Sequence, residues 1–162
     1  MKTFDRELAS QVMTQPVHLL AFGLGTGLAP YAPGTVGSLL GVGLAWLTHD
    51  LGMFSQIGVA VVLAFAGIYL CGESAKRLGV HDHGGIVWDE IAGMYLTLIV
   101  APFSVTGWVL AFVLFRIMDI VKPWPIRDLD HRLGGGVGIM LDDLVAALYA
   151  AVLLGLYRWL MI

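Results

Sequence analysis

The sequence predicts a small integral membrane protein built from helices, in a single domain. Three observations carry this. Of its 162 residues, 58% are hydrophobic even before 21 glycines are added, and only 13% are charged. A soluble domain has about 45–50% apolar residues with glycine included, and about 25% charged. Mean hydropathy is +0.83. The apolar residues fall in blocks separated by dense polar motifs, and Lys and Arg gather on alternate connections between those blocks.

Composition also excludes several classes. So much apolar surface rules out a disordered chain. With a formal net charge of −3 and no Lys/Arg-rich block, nothing forms a nucleic-acid surface. A lone cysteine, Cys71, excludes an internal disulfide framework and a cysteine-based zinc cluster. Residues 1–16 form a polar N-terminal segment with no apolar run before Val17, so no cleaved signal is expected. Without an internal repeat or linker, residues 1–162 read as one domain. Nothing in the sequence sets an oligomeric state.

Five apolar blocks follow, at residues 36–48, 56–71, 91–103, 107–121 and 144–162. Residues 17–28 are apolar but broken by glycine, which suits a re-entrant or buried segment. A spanning helix needs about 20 residues. The first, third and fourth blocks reach that length only with polar flanks, so the helices are expected to carry motif residues on their own ends. The alternative is a soluble bundle with these blocks as core helices. With the N-terminus inside and five spans, Lys2, Arg6, Lys76, Arg77, Lys122, Arg127 and Arg132 all fall inside, and Arg158 alone falls toward the outside. That is the positive-inside pattern, and it puts every polar motif on the cytoplasmic side.

Four motifs could carry chemistry. In Gly25–Ser38, two prolines interrupt any helix, and Thr35 is the expected N-cap of the first span, with Ser38 three residues on. Free N–H groups at such a start bind phosphate. The segment matches neither a P-loop nor a dinucleotide fingerprint. The second motif, His81-Asp82-His83-Gly84-Gly85-Ile86-Val87-Trp88-Asp89-Glu90, puts five titratable groups beside a span, where such groups are usually functional. In the third, Arg116 and Asp119 are i,i+3 helix neighbours, with Lys122 a further step of three along. They form either a mutual ion pair or a cationic face for phosphate. Trp88 and Trp124 suit an interfacial belt. In the fourth, Asp142 and Asp143 open the last span after the glycines of 134–138, read as a flexible loop. Paired carboxylates repel unless a cation sits between them.

The ligand pool is mostly carboxylate, which favours a hard cation such as Mg²⁺ and leaves zinc or manganese open through His81 and His83. Asp128, Asp130 and His131 read as a solvated loop. Cys71 to Arg77 has the Cys-x5-Arg spacing of cysteine phosphatases, but it follows an apolar helix and contains Glu73, so it reads as a helix end.

Together, GTGLAPYAPGTVGSL, HDHGGIVWDEIAGM, FRIMDIVKPWPI and GIMLDD, in that order between His18 and Ala147, resemble the bacterial phosphatidylglycerophosphatase A family. The resemblance implies an all-α bundle in the bacterial inner membrane, with its active site facing the cytoplasm. It implies Mg²⁺-dependent removal of the terminal phosphate from the phospholipid phosphatidylglycerophosphate. On that reading Asp89, Glu90, Asp142 and Asp143 hold one or two Mg²⁺, with Asp82 or Asp119 as a further ligand. Arg116 and Lys122 bind phosphate by charge-assisted hydrogen bonds, with N–H groups from Thr35–Ser38. His83 or His81 is the general acid or base, since imidazole exchanges protons near neutral pH. Asp119 or Asp82 as an aspartyl nucleophile stays open. Two other readings are a small ion or metal transporter, which would bury its acids near mid-membrane, and a phosphatase for another phosphomonoester.

Overall fold

The computed structural model describes residues 5–124, 126 and 133–160. Among them are seven α-helices and one short 3₁₀ turn, and no strand. The all-α expectation holds. Among the described residues a helix carries most of each of the five apolar blocks: α3 (Pro33–Thr48), α4 (Met53–Leu78), α5 (Trp88–Ile99), α6 (Val105–Val121) and α7 (Gly135–Leu160). Before them come α1 (Arg6–Thr14) and α2 (Pro16–Ala21). The polar N-terminal segment is thus largely helical. The Asp5 carboxylate caps α1 by accepting from the N–H groups of Glu7 and Leu8 at 3.0 and 3.1 Å. Residues 17–28 form α2 and the 3₁₀ turn, with His18, Ala21, Phe22, Gly23 and Gly27 buried.

The short helix α5 is the axis of the bundle. It packs against α3, α4, α6 and α7, and eight of its residues are buried: Asp89, Ile91, Ala92, Gly93, Met94, Tyr95, Thr97 and Leu98. Helices can enclose another this closely only if they present small side chains. The inward face of α3 is Gly34, Gly37, Ser38, Gly41 and Ala45, spaced for one side of a helix. A Cβ on Gly37 would lie 2.6 Å from the Val87 Cβ, and one on Gly41 2.7 Å from the Ile91 carbonyl oxygen. Large side chains point outward instead. Phe54, Val62 and Phe65 on α4, and Leu148, Val152 and Leu156 on α7, are exposed.

Two local expectations are corrected. Helix α3 begins at Pro33, behind Ala32 in the left-handed region (φ 44°), so Thr35 is a first-turn residue and not the N-cap. Proline's fixed φ suits the first helical position. Helix α7 begins at Gly135, so most of the supposed glycine loop is helix. A Cβ on Gly136 would collide with the Ile68 carbonyl of α4, so this glycine makes room for a neighbour and does not break the helix. Trp88 is half-buried and donates its indole N–H to the Leu63 carbonyl at 3.0 Å, joining α5 to α4; Trp124 is exposed.

Gly136→Ala should destabilise the protein by about 1–3 kcal/mol through overpacking. Gly155→Ala, where the added carbon meets nothing within 4 Å, should be neutral or slightly stabilising. Thermal unfolding in detergent compares the two, and equal melting temperatures would contradict the α4–α7 contact.

Candidate active site

Four helices bring their polar residues to one end of α5. Its first turn carries Asp89 and Glu90. The start of α3 brings Gly34 and Ser38, the last turns of α6 bring Arg116 and Asp119, and α7 brings Asp142 and Asp143. The α7 acids lie two turns inside their helix, not at its start, because α7 begins earlier than its apolar block.

One carboxylate oxygen from each of Asp89, Glu90 and Asp143 lies within 4.8 Å of the others. Asp89 and Asp143 are buried and Glu90 nearly so. Glu90 Oε2 and Asp143 Oδ2 are buried without a hydrogen-bond partner. Buried acceptors left unpaired are costly, and adjacent anions add repulsion. A divalent cation answers both, because it accepts oxygen ligands from several carboxylates at once. The donors in this group are all oxygen, which favours a hard cation over zinc.

Two cations are held by neighbouring acids, Arg116 beside Glu90 of the group and Lys122 on Asp142, next in sequence to Asp143. Arg116 Nη1 lies 2.7 Å from Asp119 Oδ2, 3.9 Å from Glu90 Oε1 and 3.4 Å from the Ser38 hydroxyl oxygen. Its Nε is buried without a partner. Ser38 is fully buried and donates to the Gly34 carbonyl at 2.8 Å. The i,i+3 pairing of Arg116 and Asp119 is therefore as expected. Lys122 closes α6 and places Nζ 2.5 Å from Asp142 Oδ2.

The loop between α4 and α5 adds no carboxylate to this group. His81 and Asp82 are exposed. His83 is half-buried against Phe22, with ring centroids 5.5 Å apart. Its Nδ1 accepts from the Gly85 N–H at 3.0 Å, which in the neutral ring leaves the proton on Nε2. Neither histidine belongs to the three-carboxylate group. Asp128, Asp130, His131, Arg127 and Arg132 lie outside the described residues. Cys71 is buried inside α4, as a structural thiol should be.

The sequence model described as phosphatidylglycerophosphatase A matches residues 19–158. The chain belongs to the phosphatidylglycerophosphatase A family. A protein of Escherichia coli (strain K12) named phosphatidylglycerophosphatase A is 49% identical over 144 residues, 88% of this chain and 83% of that protein. One from Haemophilus influenzae with the same name is 44% identical over 157 residues, 93% of each. No solved structure matches the chain. Membership makes the chain a phosphomonoester hydrolase, the enzyme class its motifs implied.

Gly34 is a residue of this candidate site that sequence reasoning did not single out. A Cβ there would collide with Glu90 Oε1 and lie 3.2 Å from Arg116 Nη2. The spacing Gly34-Gly37-Ser38-Gly41 is the signal that finds it, since small residues at that interval mark a close helix contact.

Two outcomes follow. In chelator-treated protein, Asp143→Asn should raise stability by about 1–3 kcal/mol, because it removes a buried, unpaired anion; a lower melting temperature than the parent would contradict the repulsive group. Gly34→Ala should lower phosphate release at least about tenfold by displacing Glu90 and Arg116, while Gly43→Ala, whose added carbon meets nothing within 4 Å, leaves it unchanged.

Proposed function

We propose that the chain removes the terminal phosphate from phosphatidylglycerophosphate, releasing phosphatidylglycerol and inorganic phosphate, with Mg²⁺ held by Asp89, Glu90 and Asp143 at the cytoplasmic face of the bacterial inner membrane. The observation that carries the site is the buried three-carboxylate group, with two orphaned oxygens and the Arg116 guanidinium 3.9 Å from Glu90. The family and its named relatives supply the substrate.

When bound, Mg²⁺ would neutralise phosphate oxygens and make water a stronger nucleophile. The chain's residues do the rest. Arg116 and Lys122 meet the phosphate oxygens, each exchanging part of its pairing with an acid for a charge-assisted hydrogen bond to substrate. Asp119 orients the guanidinium. Ser38 steadies it from the α3 side. The water oxygen bonds to phosphorus as the bond to the glycerol oxygen breaks; one water proton stays on the released phosphate, and the other replaces the proton that the glycerol oxygen takes from His83 Nε2. His83 is the proposed relay, ahead of the exposed His81 and Asp82. Nothing favours a covalent aspartyl intermediate over direct attack by water.

Membrane placement has its own support. Helices α4 and α7 are each 26 residues long and apolar enough to cross a bilayer. The exposed Phe54, Val62, Phe65, Leu148 and Val152 present apolar surface that water solvates poorly. All charged groups of the site lie at the end of the bundle that the positive-inside pattern assigns to the cytoplasm.

The test is phosphate release from phosphatidylglycerophosphate by detergent-purified protein. Activity should require Mg²⁺ and vanish with EDTA. Asp89→Asn and Asp143→Asn should each lose about a hundredfold or more while remaining folded. A folded, Mg²⁺-supplied protein that releases no phosphate from this lipid would sink the assignment, and other phosphomonoesters would be tried next.

A further inference from the structure

Adjacent acids on α7 meet different surroundings. Asp143 joins Asp89 and Glu90, and its Oδ2 is buried without a hydrogen-bond partner. Both oxygens of Asp142 are engaged: Oδ1 accepts from the Asp143 N–H at 3.0 Å, and Oδ2 lies 2.5 Å from Lys122 Nζ. Successive helical residues point about 100° apart, so one side chain can enter a site while the next leaves it.

Lys122 is also held at its backbone. It caps α6 in the left-handed region (φ 46°), with its N–H on the Met118 carbonyl at 2.9 Å. That conformation is unfavourable for a residue with a Cβ and persists where the surroundings fix it. Two residues on, the Trp124 carbonyl accepts from the Tyr149 hydroxyl at 3.0 Å. Asp142 and Tyr149 are seven residues apart, two turns along one face of α7. The corner after α6 is thus tied to α7 twice, through the lysine side chain and through the backbone just beyond it.

We infer that Asp142 is a positioning residue and not a metal ligand: with Tyr149 it docks the 122–124 corner on α7 and fixes the Lys122 ammonium there, one helical residue from the Asp143 that enters the three-carboxylate group. That Lys122 there receives a phosphate oxygen rests on the hydrolysis proposed above; that Asp142 and Tyr149 hold it does not. Asp142→Asn leaves a neutral partner, and the lysine swings away from the site.

Three measurements on the full chain in detergent test this. The first is the rate at which an amine-acylating ester modifies Lys122, read by mass spectrometry. Asp142→Asn should raise it about threefold or more and Tyr149→Phe should raise it less, since truncating one partner frees the other. The second is Mn²⁺ binding by electron paramagnetic resonance without substrate. Asp142→Asn should stay within about twofold of the parent, whereas Asp143→Asn should weaken about tenfold or more. The third is kinetics at saturating Mg²⁺. Asp142→Asn and Lys122→Ala should each raise KM about tenfold with kcat little changed, and the double variant should be no worse than Lys122→Ala alone, as expected of two residues acting as one unit. Asp142→Glu should recover part of the loss.

Unchanged acylation in both Asp142→Asn and Tyr149→Phe would overturn the inference. So would an equal loss of Mn²⁺ affinity in Asp142→Asn and Asp143→Asn, or additive KM effects. If the parent releases no phosphate, the proposed reaction fails, and acylation and Mn²⁺ binding still decide the role of Asp142.

Discussion

The enclosure of α5 is the constraint from which the site follows. A helix surrounded by four others has no solvent-facing side on which to place its polar residues, so Asp89 at its first turn is buried along with the apolar residues that follow. Neighbours can come near enough to complete the site only by giving up side chains. Gly34 meets the Glu90 carboxylate, Gly93 meets Phe115 of α6, and Gly136 meets the backbone of α4. The abundance of glycine therefore reflects close packing more than flexibility.

Close packing and buried charge pull in opposite directions. Small residues give the helices contact area and let the backbones meet. The same approach confines three carboxylates and leaves Glu90 Oε2, Asp143 Oδ2 and Arg116 Nε without partners. Pairing of Arg116 with Asp119 and of Lys122 with Asp142 offsets part of this, because each cation lies beside an acid. What remains is a local excess of negative charge. Such stored destabilisation is common where activity requires groups that folding alone would not choose.

The sequence announced the helices better than their ends. Outward faces of α3, α4, α6 and α7 carry the large apolar residues, so the blocks were plain from hydropathy alone. The ends were hidden because Gly135 and Gly136 look like helix breakers until the carbonyl of Ile68 is placed beside Gly136. The acids of the site stood out in a chain with so few charges, and the Arg116–Asp119 pair followed from helical spacing. The separate surroundings of Asp142 and Asp143 did not, because adjacent identical residues give no sign of which faces the site. Nor did Tyr149, whose partner is a backbone carbonyl and leaves no mark on composition.

The brevity of α3 and α6, whose outward faces carry Leu39, Trp46, Val109 and Val113, has a consequence for any lipid around them. Their 16 and 17 residues rise about 24–26 Å, against about 30 Å for a hydrocarbon slab, while the 26 residues of α4 and α7 rise about 39 Å. A bilayer meeting both lengths at once would have to thin toward the shorter helices, a hydrophobic mismatch of the kind membranes relieve by local dimpling. Headgroups along that rim would sink toward the carboxylates. A lipid phosphate could then descend to the acids with its acyl chains still in the membrane.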